Sequence, residues 1–156
     1  MNDSPLRPPP PADRQRLRAI ALDIGRARIG IAALDVGTGM ALADSVLTRK
    51  GTRKDIARLL ERCAQLAGEI WVVGLPPTSP DPKNCTARLA RNFALALIEA
   101  QPLPVWLVDE ADTSREAKAH LGLLGVRGRR LKSVVDKHAA ARILDRWTRG
   151  EPAIAP

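Results

Sequence analysis

Residues 18–47, RAIALDIGRARIGIAALDVGTGMALADSVL, decide the fold. Three short apolar runs, 18–23, 28–34 and 40–47, are separated by Ile24-Gly25-Arg26-Ala27 and by Asp35-Val36-Gly37-Thr38-Gly39. Runs of strand length joined by glycine-bearing turns read as a three-strand meander.

Downstream the period changes. Over 52–67, Ile56, Leu59, Leu60, Cys63 and Ala67 share one helical face, with a Thr52-x-x-Asp55 capping pattern in front and Gly68 behind. Residues 70–73 form a continuous apolar run, the mark of a strand buried on both faces, and lead into a Pro-rich loop at 74–83. A second helix over 84–100 gathers Ala90, Phe93, Ala94, Leu97 and Ile98, and 105–108 repeats the buried-strand signal. A third helix is expected after Thr113-x-x-Glu116, ending near Gly125, and a fourth over 133–147. The order βββαβαβαα predicts an α/β domain: a five-stranded mixed sheet with helices on both faces, because each crossover helix returns the chain to a parallel neighbour.

The 156 residues suit one such domain, over 17–149. Residues 1–16 hold five prolines and no apolar period and read as a disordered Pro-rich tail, and 150–156 as a short C-terminal tail. No apolar run is long enough to span a bilayer and no secretory signal precedes the domain, so the expected location is cytoplasmic, away from membranes. Cys63 and Cys85 form no C-x-x-C pair and read as plain thiols. The net charge of +8 calls for an acidic partner, nucleic acid first.

The chemistry centres on three acids. Asp23 ends the first strand on the face of Ala19 and Ala21, and Glu110 ends the run VWLVDE. Ligands of parallel sheets gather beyond the carboxyl ends of strands, although either acid alone is also what a solvated turn looks like. Asp136 has two readings. After Ser133 it fits a capping box at the start of the last helix. It also stands i, i+4, i+7, i+8 and i+11 with Ala140, Ile143, Leu144 and Trp147, at the head of the face that docks on the sheet, where a carboxylate needs a compensating cation. Three hard oxygen donors from two strand ends and a helix suit Mg²⁺ or Mn²⁺, and a two-metal site of that kind hydrolyses phosphodiesters.

Basic residues supply the substrate. Between Arg115 and Arg149 ten Lys or Arg face three acids, a net +7, densest in VRGRRLK at 126–132, which places Arg129, Arg130 and Lys132 beside the metal site as phosphate ligands. Arg142, Arg146 and Arg149 read as a solvated helix surface. Phe93, Trp71, Trp106 and Trp147 all fall in core positions and Tyr is absent, so the backbone or shape of a nucleic acid is read rather than stacked bases. Asp109-Glu110-Ala111-Asp112 looks like a helicase motif, but no phosphate-binding G-x-x-x-x-G-K-[ST] accompanies it. His120 and His138 lie in helices with no nucleophile nearby in sequence.

ALDIGRARIGIA at 21–32, VVGLP at 72–76, VDEADTS at 108–114 and VVDKHAAARIL at 134–144 together resemble the YqgF/RuvX-like family of Holliday junction resolvases and pre-16S rRNA nucleases, over about 18–148. The resemblance implies an RNase H-like fold, divalent-metal nuclease chemistry, a cytoplasmic location and a role in ribosome biogenesis. The family's acidic residues fall on Asp23, Glu110 and Asp136, and its basic residue before the Ile-Gly of the second strand on Arg28. The chain departs from the family in having Ala111 where Arg is usual, and Pro77 to Pro80 where an Asn-Met-Asp-Gly-like stretch follows Gly-Leu-Pro.

The expected activity is therefore metal-dependent cleavage of structured RNA, a precursor of small-subunit rRNA, with Asp23, Glu110 and Asp136 as metal ligands and Arg28, Arg129, Arg130 and Lys132 on the backbone. The alternatives are a resolvase of branched, four-way DNA, which paired cuts would favour as a homodimer rather than a monomer, and a non-catalytic nucleic-acid binding protein of the same fold. An actin-like phosphotransferase fragment, suggested by Asp23-x-Gly25, lacks the second domain such kinases need.

Overall fold

The computed structural model describes residues 7–77, 81, 85–110, 125 and 128–156, and over 129–137 the backbone alone. In chain order the elements are α1 (Pro11–Arg14), β1 (Ala19–Ile24), β2 (Arg28–Asp35), β3 (Met40–Thr48), α2 (Thr52–Gln65), β4 (Ile70–Leu75), α3 (Thr86–Ala100), β5 (Val105–Asp109), α4 (Gly128–Thr148) and β6 (Ala153–Ile154). The third helix expected up to Gly125 lies outside the described residues.

Strand alternation builds two cores on one sheet. Ile20, Leu22, Ile24, Ile29, Ile31, Trp71, Val73 and Leu107 point to one face, where Ile56, Leu59 and Cys63 of α2 and Ala90, Phe93, Ala94 and Leu97 of α3 cover them. Ala19, Ala21, Ala32, Leu34, Ile70, Val72, Trp106 and Val108 point to the other, under Ala140, Ile143, Leu144 and Trp147 of α4. The sheet order is β3-β2-β1-β4-β5-β6. The first three strands form the expected antiparallel meander, and β1, β4 and β5 run parallel.

The mixed sheet with helices on both faces is as expected, with one addition: β6 pairs antiparallel with β5 and makes six strands rather than five. Two residues behind Pro152 carry no period that could announce a strand.

The β1–β2 turn is a two-residue hairpin closed by the Gly25 N–H, which donates to the Arg28 carbonyl at 2.8 Å. A Cβ at position 25 would stand 2.8 Å from that oxygen, so this turn needs glycine. At the head of α2 the expected capping box is out of register. Thr52 is already helical and Gly51 holds the cap position. Asp55 is fully buried and reaches back instead, accepting the Lys50 N–H at 2.8 Å and Arg49 Nε at 3.0 Å.

Within the N-terminal segment, Arg14 organises the chain. It is 3 % exposed, its guanidinium lies 4.3 Å from the centre of the Trp147 ring, and it donates to the carbonyls of Pro9, Trp147 and Glu151 at 2.9, 3.1 and 2.8 Å. The Trp147 carbonyl in the last turn of α4 thereby meets a cation, the sign that a helix C-terminus favours. Burial pushes the Arg14 pKa down from its ordinary value, yet three acceptors and the aromatic face keep the charge solvated. Arg14→Ala should cost about 2–4 kcal/mol in urea unfolding, and Arg14→Lys most of that, since an ammonium cannot reproduce the planar fork. A loss under about 0.5 kcal/mol would mean that the N-terminal segment does not contribute to the fold.

Candidate active site

The site forms where β1 and β5 end on the α4 side of the sheet. Asp23 continues the face of Ala19 and Ala21, and Glu110 continues that of Trp106 and Val108. The Glu110 N–H donates to the Leu75 carbonyl at 3.1 Å, which extends the parallel ladder by one bond and holds the residue at the strand end. Asp23 pairs with Gly30 in β2, and the β1–β4 register carries it level with Gly74. Two glycines thus flank one aspartate in the neighbouring strands.

Glu110 occupies the room over Gly74. A Cβ at position 74 would stand 2.2 Å from Glu110 Oε2 and 2.4 Å from Ile143 Cδ1 of α4. The Glu110 side chain is buried, and its carboxyl is pushed up to about 8. Burial is the largest cause, followed by the neighbouring Asp23 charge, the hydrogen bond that protonated Glu110 donates to Asp23, and the Asp109 charge, with Arg146 acting in the opposite sense. Oε2 itself is buried with no hydrogen-bond partner among the described residues. An acceptor left without a donor in such a place is a defect in an inert core and an asset where a cation is to be held.

Asp136 is the ninth residue of α4, which begins at Gly128 and not near Ser133. It therefore does not cap the helix, and the capping reading falls. The sequence misled because RGRRLKS carries no apolar stripe, so Ser133-x-x-Asp136 was the first start signal to be seen. Trp147 sits by Arg14 near the start of β1, while Ile143 sits over Gly74 near its end, so α4 runs away from the carboxylates and Asp136 lies two turns closer to that end than Ile143. Its side chain is outside the described residues.

Arg28 is half-buried on the same sheet face as Asp23, diagonal to it across the Asp23–Gly30 pair. Arg129, Arg130 and Lys132 belong to the first turns of α4 and not to a loop, and their side chains lie outside the described residues. Among the described residues two carboxyls converge, and no group of three His, Cys, Asp or Glu is close enough to share a metal. His138 is exposed on α4. His120, Ala111, Thr113, Ser114 and residues 78–80 lie outside the described residues. All four aromatics are buried. Sequence reasoning missed Gly74 as the residue that makes room for Glu110; a glycine inside an apolar strand, as in WVVGL, is the signal that could have found it.

The family described as RuvX: Holliday junction resolvase matches residues 17–149. A protein of Anaeromyxobacter dehalogenans named "Putative pre-16S rRNA nuclease" is 38% identical over 131 residues, covering 84% of this chain and 96% of the relative. One of the same name from Mycobacterium bovis is 37% identical over 145 residues, 92% of this chain and 85% of the relative. Among solved structures, Thermus thermophilus RuvC in complex with a Holliday junction substrate superposes with a TM-score of 0.55 at 18% identity, over 87% of this chain and 99% of that one, a likeness of fold.

Proposed function

The chain belongs to the RuvX family, described as Holliday junction resolvases, and on that premise we propose that it is a divalent-metal-dependent nuclease that matures the 5′ end of pre-16S rRNA in the cytoplasm. The observation that carries the reading is the pair of hydrogen-bonded carboxyls, Asp23 and Glu110, at the C-terminal ends of two strands, one with a buried oxygen that has no partner among the described residues. Among the described residues the donors fit a hard cation: two carboxyls, one with an unpartnered Oε2 that stands over Gly74. Asp23, Glu110 and Asp136 would hold Mg²⁺ or Mn²⁺, as one ion or two. When bound, the metal supplies Lewis acidity at the phosphorus centre and acidity to the attacking water.

The residues of the chain do the rest. Glu110 must give up the proton it shares with Asp23 before the pair can bind a cation, so loading is favoured by rising pH. Arg28, diagonal to Asp23, is placed to grip a phosphate next to the scissile one, and Arg129, Arg130 and Lys132 do so from the head of α4. With every aromatic buried, recognition rests on the backbone and shape of the substrate. RNA is preferred over a four-way DNA junction because the curated relatives carry the rRNA name over nearly their whole length.

The test is cleavage of a 5′-extended 16S precursor and of a synthetic four-way junction, side by side, with Mg²⁺, Mn²⁺ or EDTA. Metal-dependent cutting of the precursor is the expected result; cutting of the junction alone moves the substrate to DNA, and cutting in EDTA removes the metal. In the same assay Asp136→Asn should lower cleavage more than about 10²-fold. As a ligand beside Asp23 and Glu110, Asp136 would be a carboxylate held next to another negative group in the metal-free protein, so its loss should not lower the melting temperature in EDTA. An active but less stable variant would take Asp136 out of the ligand set.

A further inference from the structure

We propose that the β1–β2 hairpin tip and the β3–α2 bend form a second phosphate-gripping surface, over which the substrate strand leaves the carboxylates and crosses to the α2 side of the sheet. The proposal rests on the nuclease reading of the Asp23–Glu110 site and adds a binding surface that lies outside the basic stretch at the head of α4. The two segments are tied together. The Arg49 N–H donates to the Ala27 carbonyl at 2.9 Å, and Arg49 Nη1 to the Gly25 carbonyl at 3.2 Å. Arg49 Nε and the Lys50 N–H both donate to Asp55, at 3.0 and 2.8 Å. The Arg49 guanidinium also lies 5.3 Å from the centre of the Phe93 ring, which fixes it from below.

This brace sorts the charges. Asp55, the acid that the bend contains, is fully buried and engaged by Arg49 and Lys50, so it contributes nothing to the outer surface. What faces solvent is Arg26 at the hairpin tip with Lys50 and Lys54 beyond it, all exposed. Arg53 lines the groove between α2 and α3 beside Glu99 and is not counted. Arg26 is three residues past Asp23, and Arg28 returns on the carboxylate face, so cations run from the site around the tip.

Exposed like charges on two segments tied together repel one another, which a purely structural surface gains nothing from. The partner that fits is a phosphodiester strand. The two segments, 25–28 and 48–55, contain no aromatic for base stacking and no exposed acid for directional pairing, which suits backbone contacts independent of sequence.

The test is binding of a fluorescein-labelled RNA hairpin with a 5′ single-stranded extension, followed by anisotropy in EDTA so that nothing is cut, across a salt series. R26Q/K50Q/K54Q is compared with wild type and with R16Q/R18Q/R149Q, which removes the same charge from the opposite end of the sheet. Melting curves of all three verify folding. The expected result is an affinity loss of about tenfold or more at low salt for the first variant and a salt slope shallower by about 2–3, against a small, slope-neutral change for the second. Equal losses in both variants would reduce the effect to net charge and overturn the surface. An unchanged slope in R26Q/K50Q/K54Q, with wild type binding normally, would overturn it while leaving the nuclease reading intact. Failure of wild type to bind either this RNA or a four-way junction would overturn both.

Discussion

Glu110→Gln should abolish cleavage and, in the metal-free protein, raise stability and flatten its dependence on pH. The Glu110 carboxyl is pushed up to about 8 in the folded chain, by burial first and by Asp23 second, against an ordinary value of 4.5. A carboxyl whose folded pKa is raised holds its proton more tightly when folded, so the linked stabilisation is complete below about 4.5 and is lost as pH climbs through about 8. The unfolding free energy of wild type in EDTA should therefore fall between pH 5 and 8 by on the order of one or more kcal/mol, and its melting temperature with it. The amide of Glu110→Gln is neutral throughout and can still donate to Asp23, so the fall should vanish and the variant should be the more stable above pH 7. Adding Mg²⁺ reverses the ranking: it competes with the shared proton, and its stabilisation of wild type should grow with pH and be absent from the variant. Cleavage by Glu110→Gln within a few-fold of wild type, or an unchanged pH dependence of its melting, would remove Glu110 from the site.

The residues that could be placed from sequence share a property: each belongs to an element whose period is local. Asp23 and Glu110 were legible because strand alternation runs uninterrupted through AIALD and WLVDE, and the order of helices and strands fixes which ends of β1 and β5 coincide. The start of α4 was not legible, since its first turns are basic and polar and present no stripe to the sheet. Asp55 was visible as a helix-start acid, but its partners were not, because the capping pattern cannot reveal that Arg49 crosses to Gly25, stacks on Phe93 and, with the Lys50 N–H, engages the carboxylate. Arg14 lay beyond periodicity altogether. Its partners, Trp147 and Glu151, are 133 and 137 residues away, and a cation amid prolines has no pattern to betray that it will be buried.

The glycine at position 74 offers the harshest test of the site's geometry, because the added atom is a single methyl group. On an exposed helix Gly→Ala is a gain, and within a strand interior it ordinarily is too, since alanine loses less backbone entropy on folding. At position 74 the new Cβ would stand 2.2 Å from Glu110 Oε2 and 2.4 Å from Ile143 Cδ1, far inside contact distance on both sides. Either the glutamate or α4 has to move. Gly74→Ala should therefore destabilise the protein by about 1–3 kcal/mol and lower cleavage at least tenfold, the latter because Glu110 loses the place from which it faces Asp23. The two effects have separable causes. Trimming Ile143 as well, in Gly74→Ala/Ile143→Val, removes Cδ1 and relieves the helix side of the clash, so part of the stability should return. The carboxylate side remains crowded, so activity should not. If the double variant regained cleavage together with stability, the loss in Gly74→Ala would have come from displacement of α4 and not of Glu110, and the helix carrying Asp136, rather than the glutamate over Gly74, would be the more sensitive half of the site.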